Sequence, residues 1–235
     1  MPTDSSTESP AAAVVSGCRV LGAQDMGDPV WGHVSVRDPD GRGLWLKAGP
    51  KGFDEVREPD VILIDFNGER LIGEHRVPLE YPLHSEILRS RPDVGSVVHA
   101  HPPHAIALAA TGLRLQAFSN AAGPFAAGVP VYERPVGLID TAPLGTELAE
   151  SLGDARALFL TGHGILTTGS SVATAVVTAI LLERASQLQL LAAAAGGVAA
   201  ELADPGARYA HTESEMYMTR TWEYLLRQVA RSAAP

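Results

Sequence analysis

The segment VGSVVHAHPPH, residues 94–104, joins a short apolar run to two histidines spaced two residues apart. Side chains at positions i and i+2 of a β-strand lie on the same face, so His99 and His101 can bind one ion together. The prolines that follow end the strand, because proline has no N–H to donate to a neighbouring strand. The segment therefore predicts a strand that carries two candidate metal ligands at its end.

A third histidine, His163, lies between two glycines in the segment TGHGIL, residues 161–166. Glycine permits a tight backbone turn, which can bring the imidazole close to a partner. Three histidines around one cation leave positions open for water or substrate, as in catalytic rather than structural metal sites. His84 and His104 fall on predicted helices, and we interpret both as structural or exposed.

The rest of the chain alternates between predicted strands and helices, which indicates one α/β domain over residues 12–235. Residues 1–11 are polar and acidic and are predicted to be a disordered tail. The predicted strands cover residues 32–38, 44–49, 60–68 and 94–101, with a further pair within 155–169 that turns at His163. The predicted helices cover residues 11–27, 82–92, 102–112, 170–197 and 212–232.

Composition excludes several classes of protein. The net charge of the 235-residue chain is −9, with no cluster of lysine and arginine, which argues against a nucleic-acid partner. The single cysteine, Cys18, excludes an intrachain disulfide. The N-terminus lacks the features of a signal peptide. The longest apolar run is interrupted by Glu183 and Arg184, so it predicts a buried helix and no membrane partner. We expect a cytoplasmic protein.

Three segments together resemble the class II aldolase/adducin family: EYPLHSEILRSRPDVGSVVHAHP at residues 80–102, GHVSVR at 32–37 and GHGIL at 162–166. The resemblance covers roughly residues 12–195. It implies a three-layer α/β/α sandwich around a mainly antiparallel sheet. It also implies a homo-oligomer, with a tetramer favoured, whose active sites lie between subunits.

The resemblance also implies a site. One divalent ion per subunit, Mn²⁺, Zn²⁺ or Fe²⁺, would be held by His99, His101 and His163. Glu80, which by itself is an ordinary loop glutamate, would be the catalytic acid/base. An aromatic residue of the C-terminal helix, here Tyr217, would reach the active site of a neighbouring subunit.

Departures from the family pattern favour one reaction. Sugar-phosphate aldolases of this family hold the phosphate with small polar residues, whereas the corresponding stretches here contain His33, Ala48-Gly49 and Pro78-Leu79. Hydroxyl donors are missing, and proline also removes an N–H donor. A phosphate would be bound poorly, whereas His33, Arg37 and Lys47 suit a carboxylate or a phenolic oxygen.

The sequence therefore predicts a divalent-metal-dependent carbon–carbon lyase with a small carboxylic acid as substrate. The favoured reaction is decarboxylation of a hydroxylated aromatic or heteroaromatic acid, through an enolate that the metal stabilises. Three alternatives stay open: an aldolase that cleaves a sugar phosphate, a non-haem iron oxygenase, and a metal-binding protein without catalysis.

Overall fold

The fold is organised around one eight-stranded sheet. The computed structural model describes residues 8–133, 137–198 and 205–232. The strands lie in the order β4-β3-β2-β1-β5-β8-β7-β6, and every neighbouring pair is antiparallel except β6 and β7. The strands are β1 His33–Arg37, β2 Leu44–Lys47, β3 Val61–Ile64, β4 Arg70–Ile72, β5 Ser96–Ala100, β6 Val131–Tyr132, β7 Ala157–Leu160 and β8 Gly164–Gly169.

Helices cover both faces of this sheet, as the three-layer prediction requires. They are α1 Pro10–Ala23, α2 Tyr81–Ser90, α3 Pro103–Thr111, α4 Ala142–Leu152, α5 Val172–Ala194, α6 Pro205–Tyr209 and α7 Glu215–Ser232. Because successive strand residues point to opposite faces, Val98 belongs to the core under α1, α5 and α7. Its neighbour Val97 belongs to the core under α2 and α4. The predicted α/β/α sandwich is confirmed.

Helix α5 is the central helix of one outer layer. It begins after Ser171, whose hydroxyl accepts a hydrogen bond from the backbone N–H of Thr174 at 3.3 Å. Within the described residues it is the one helix that is long and apolar enough to cross a membrane. More than half of its most apolar window is buried inside the protein, which confirms the prediction of a core helix.

Some element boundaries differ from the predictions. Helix α1 begins at Pro10, capped by Ser9, and ends four residues before the predicted stop at Gly27. Residues 1–7 of the predicted tail lie outside the described residues. Pro10 and Ala11, which were predicted to belong to the disordered tail, are the first residues of α1, and the domain range 12–235 stays a prediction. The sequence analysis missed β4, β6 and α6, which are too short to show a period. It also missed α4, although Pro143 near its start and Gly153 after its end are helix signals.

Candidate metal centre

Three histidines meet at one end of the sheet. His99 is on β5, His101 follows that strand, and His163 lies in the turn between β7 and β8. Since β5 and β8 are neighbours in the sheet, the turn carries His163 back to the end of β5. One nitrogen of each ring lies within 4.8 Å of the others, and the Nε2 atoms of His99 and His101 are 3.0 Å apart. The structure thus brings the three predicted ligands together.

The two glycines beside His163 are required by this geometry. Gly162 has a φ of +69°, a conformation that residues with a side chain rarely adopt. A Cβ atom on Gly164 would lie 2.5 Å from the carbonyl oxygen of Ala100 and 2.6 Å from the ring of His101. A larger residue at position 164 would therefore push the β8 turn away from the end of β5.

The carboxylate of Glu80, the residue immediately before α2, lies beside the three histidines. Its Oε2 lies 3.6 Å from Nε2 of His99, and its Oε1 lies 3.6 Å from Nε2 of His163. Oε1 also accepts a hydrogen bond from the backbone N–H of Ile139 at 3.2 Å. Burial raises the pKa of the Glu80 carboxyl, but the interactions of its ionised form with His99, His163 and the Ile139 N–H outweigh burial and lower that pKa to about 2. Glu80 is therefore ionised at neutral pH.

The donor set fits a divalent metal ion. Nδ1 of His99 lies 3.0 Å from the carbonyl oxygen of Ile165, so it carries the proton and leaves the lone pair of Nε2 free for a metal. Nδ1 of His101 faces the carboxylate of Asp28 at 4.0 Å. Burial, followed by the charges of nearby histidines, lowers the pKa of His101 to about 3 and also lowers that of His163. Both rings are thus held in the neutral form that binds metals.

His33 adjoins this centre. Its Cα atom lies directly opposite that of His99 in the register of β1 and β5, and the two rings stack with centroids 6.2 Å apart. His33 thus lies beside the metal centre, and its predicted contact with substrate stays a prediction.

His84 is the neighbour that the sequence analysis did not assign to the site. It is fully buried on α2, and its ring meets that of His33 edge-on at 5.8 Å. Its Nδ1 lies 2.8 Å from the hydroxyl of Ser35. No local signal in the sequence identifies this position, because the contact of His84 with His33 is made only by the packing of α2 against the sheet.

Arg37 and Lys47, the two cationic residues predicted to bind substrate, are occupied elsewhere. Arg37 lies at the far end of β1 from His33, where its guanidinium donates to the carbonyls of residues 88, 91 and 94. Lys47 is buried, and its ammonium donates to the carbonyl of Val30 at 2.7 Å and lies 5.7 Å from the ring centroid of Phe53. These partners give both residues structural roles, so the structure provides no support for their binding substrate.

Tyr217 is separated from the metal centre of its own chain by the sheet. It lies on α7, packed against the core shared with α1 and α5, whereas Glu80 is on the side of α2. Its ring meets that of His211 edge-on at 6.2 Å. Any contact of Tyr217 with a metal centre would therefore involve another subunit, and that assignment stays a prediction.

The chain is similar to proteins of known families. A family model described as the Class II Aldolase and Adducin N-terminal domain matches residues 12–190. A 3,4-dihydroxyphthalate decarboxylase of Arthrobacter keyseri is 37% identical over 204 residues, which are 82% of this chain and 82% of that protein. A protein of the same name from Terrabacter sp. (strain DBF63) is 39% identical over 201 residues, 80% of this chain and 83% of the relative.

The fold is also shared with solved structures. The structure of an L-fuculose 1-phosphate aldolase from Glaciozyma antarctica PI12 superposes with a TM-score of 0.82 at 24% identity, covering 94% of this chain and 90% of that one. At this identity the likeness shows a common fold. The reaction has to be argued from the residues of the site.

Proposed function

Because this chain belongs to the class II aldolase and adducin N-terminal domain family, we propose that it decarboxylates a dihydroxylated benzene dicarboxylate. The chain is an enzyme with lyase activity, like the decarboxylases and aldolases of this family. The observation that carries the proposal is the position of the buried, ionised Glu80 carboxylate, 3.6 Å from the Nε2 atoms of His99 and His163. The similarity to 3,4-dihydroxyphthalate decarboxylases supports the choice of substrate class.

His99, His101 and His163 would hold one divalent ion through their Nε2 atoms. That ion would supply Lewis-acid stabilisation of the negative charge that develops on a substrate oxygen. The protein fixes the ligand positions before substrate arrives, since His99 is held by the Ile165 carbonyl and the turn at His163 is fixed by its glycines. Such preorganisation avoids the cost of ordering the site during the reaction.

Glu80 moves the proton in the proposed reaction. It is ionised before substrate binds, so it takes the proton from the hydroxyl group beside the departing carboxylate. It then delivers that proton to the ring carbon that carries the carboxylate. The carbon–carbon bond breaks, CO₂ leaves, and the electron pair of the bond restores the aromatic ring. The phenolate oxygen regains a proton from solvent, so that one proton replaces one CO₂.

His33 is the proposed contact for an anionic oxygen of the substrate. It lies beside His99 in the sheet register, close enough for a ligand to touch it and the metal centre at once. An imidazole N–H that donates to a carboxylate forms a charge-assisted hydrogen bond, which is stronger than a neutral one. With 3,4-dihydroxyphthalate, the carboxylate that stays on the ring would be the partner of His33.

Cleavage of a sugar phosphate is the main alternative, and the residues around the site weaken it. Ala48 is buried and apolar, and Gly49 packs against the ring of His75. Pro78 has no N–H, and Leu79 is an apolar residue that is 67% exposed. These positions offer no hydroxyl group to a phosphate.

The proposed function is tested by measuring CO₂ release from 3,4-dihydroxyphthalate. Purified protein is stripped of metal and reloaded with Mn²⁺, Zn²⁺ or Fe²⁺ under nitrogen, beside a His99→Ala variant treated in the same way. Release of CO₂ that is lost in the variant supports the decarboxylase. Cleavage of L-fuculose 1-phosphate without CO₂ release from the aromatic acid would favour the aldolase. Turnover with Fe²⁺ in air, but not under nitrogen, would indicate an oxygenase.

A further inference from the structure

A buried polar cluster lies behind the metal centre, formed by His33, Ser35 and His84. Ser35 and His84 are fully buried, and the Nδ1 atom of His33 is also shielded from solvent. The surrounding core of α2 and α4 is apolar, with Leu46, Leu83 and other aliphatic side chains. Polar groups in such surroundings destabilise a fold unless they are hydrogen-bonded, so each of these side chains needs a hydrogen-bond partner.

Two imidazole nitrogens of this cluster have no hydrogen-bond partner within the described residues: Nδ1 of His33 and Nε2 of His84. They belong to the two rings that meet edge-on with centroids 5.8 Å apart. One buried water that accepts a hydrogen bond from one ring and donates to the other would satisfy both atoms. His84 is fully buried, the shared side of the His33 ring is shielded from solvent, and the hydrogen-bond partner of the pair within the described residues is the neutral hydroxyl of Ser35, so the surroundings favour the neutral form of both rings.

The hydroxyl of Ser35 sets the direction of this chain of hydrogen bonds. Its Oγ lies 2.8 Å from Nδ1 of His84 but 3.5 Å from the carbonyl oxygen of Val97, which is the limit of a hydrogen bond. The O–H therefore donates to Nδ1 of His84, and the proton of that neutral ring resides on Nε2. A buried water between the two rings would accept from Nε2–H of His84 and donate to Nδ1 of His33, which would leave the proton of His33 on its own Nε2.

We propose that His84 is a positioning residue that, together with Ser35, holds His33 in the tautomer with its proton on Nε2. His33 is thereby a hydrogen-bond donor for an anionic oxygen, and the site selects an aromatic ligand that keeps a carboxylate after the reaction. This proposal rests on the proposed function for the identity of the ligand. The hydrogen-bond chain itself rests on the geometry of the three residues.

The first test determines the tautomers of His33 and His84 and does not depend on activity. The zinc-loaded protein is labelled with ¹⁵N-histidine, and two-bond ¹H–¹⁵N correlation spectra distinguish a proton on Nδ1 from one on Nε2. The signals of the two rings are assigned with the His33→Asn and His84→Phe variants. We expect Nε2–H for both rings in the wild type and a changed pattern in Ser35→Ala. Ser96→Ala is the matched control, because Ser96 is an equally buried serine whose hydroxyl donates to the backbone of residue 35 at 2.7 Å. A proton on Nδ1 of His33 in the wild type would overturn the proposal.

The second test uses calorimetry to compare the affinities of the zinc-loaded protein for 3,4-dihydroxybenzoate and catechol. These probes differ by one carboxylate. We expect the wild type and Ser96→Ala to bind the acid more tightly than catechol. In Ser35→Ala and His84→Phe the ratio of the two affinities should fall about tenfold, which is the effect of one charge-assisted hydrogen bond. An equal preference in Ser35→Ala and Ser96→Ala would refute the positioning role. If the tautomers are as expected but no aromatic acid is decarboxylated, the proposed function fails and the hydrogen-bond chain stands.

Discussion

His33 lies directly opposite His99 in the antiparallel ladder of β1 and β5, and their rings stack with a 21° angle between planes. The backbone register, rather than a flexible loop, therefore fixes the distance between His33, the proposed substrate contact, and His99, a predicted metal ligand. A site held by a strand pair is positioned more rigidly than one on loops.

This relationship predicts the effect of replacing His33. In His33→Asn the side chain is shorter and its donor moves away from the ligand, so we expect KM for the aromatic acid to rise about tenfold, the effect of one hydrogen bond to a charged group. Metal content, measured by elemental analysis, should match the wild type because His33 is not a predicted ligand. An unchanged KM would exclude contact between His33 and substrate.

Removal of a metal ligand should reduce the increase in Tm that zinc produces. A ligand that binds only the native state raises the free energy of unfolding, and zinc should therefore raise the Tm of the wild-type protein. We expect this increase to be much smaller in His163→Ala, as judged by thermal denaturation with and without zinc. His104→Ala is the control, since His104 is engaged with Glu183 at 2.5 Å and is outside the cluster. Equal increases in both variants would contradict the assignment of His163.

Replacement of Glu80 separates metal binding from catalysis. Glu80→Gln retains the size of the side chain but cannot transfer the proton, so we expect kcat to fall about 10²- to 10⁴-fold. Zinc affinity, measured by chelator competition, should fall much less than in His99→Ala. A variant with nearly full kcat would show that another group moves the proton.

Asp38 predicts a pH-dependent contribution to stability. Its buried carboxylate accepts from Arg42 at 2.7 and 2.8 Å and from the indole N–H of Trp45 at 2.8 Å. The hydrogen bonds from Arg42 are the largest cause that lowers the pKa of Asp38 to about 2. A carboxyl whose pKa is lower in the folded state stabilises the protein above its unfolded pKa of about 4, and loses that effect as the pH falls toward 2.

We therefore expect Asp38→Asn to lower the free energy of unfolding by about 1–2 kcal/mol at pH 7, and by progressively less below pH 4. Urea denaturation at a series of pH values measures this difference. Asp40→Asn is the matched control, because Asp40 is 71% exposed beside the same Arg42 and should contribute little. A difference that does not change with pH would mean that the carboxylate charge of Asp38 is not what stabilises the fold.

The predicted homotetramer and the role of Tyr217 can be tested by subunit mixing. If Tyr217 completes the active site of a neighbour, Glu80→Gln and Tyr217→Ala chains are each impaired, but hybrids contain sites in which both residues are intact. After denaturation and joint refolding in equal amounts, about a quarter of the sites should be restored by random assembly. Activity equal to the mean of the separately refolded variants would place Tyr217 outside a shared site.

Local patterns were sufficient for much of the architecture. The sequence predicts three elements from signals that span only a few residues. Alternation in residues 33–37 predicts β1, the helix signal at Ser171 predicts the start of α5, and the glycines around His163 predict the β7–β8 turn. The spacing of His99 and His101 predicts a shared face because the period of a strand is two. Short elements at the sheet edges, β4 and β6, have too few residues to show any period.

The sequence by itself therefore determined an α/β domain and three candidate histidine ligands, because strand period and glycine conformations are local properties. The three-layer sandwich and the lyase chemistry were expectations from the family resemblance. The family resemblance added Glu80, whose place beside His99 and His163 depends on how α2 packs against the sheet. Only the tertiary structure decided which polar residues face the site. Arg37 and Lys47 are directed to backbone carbonyls, and His84 is buried behind His33. The physical reason is that the partners of a buried polar side chain come from segments distant in sequence, and only packing brings those segments together.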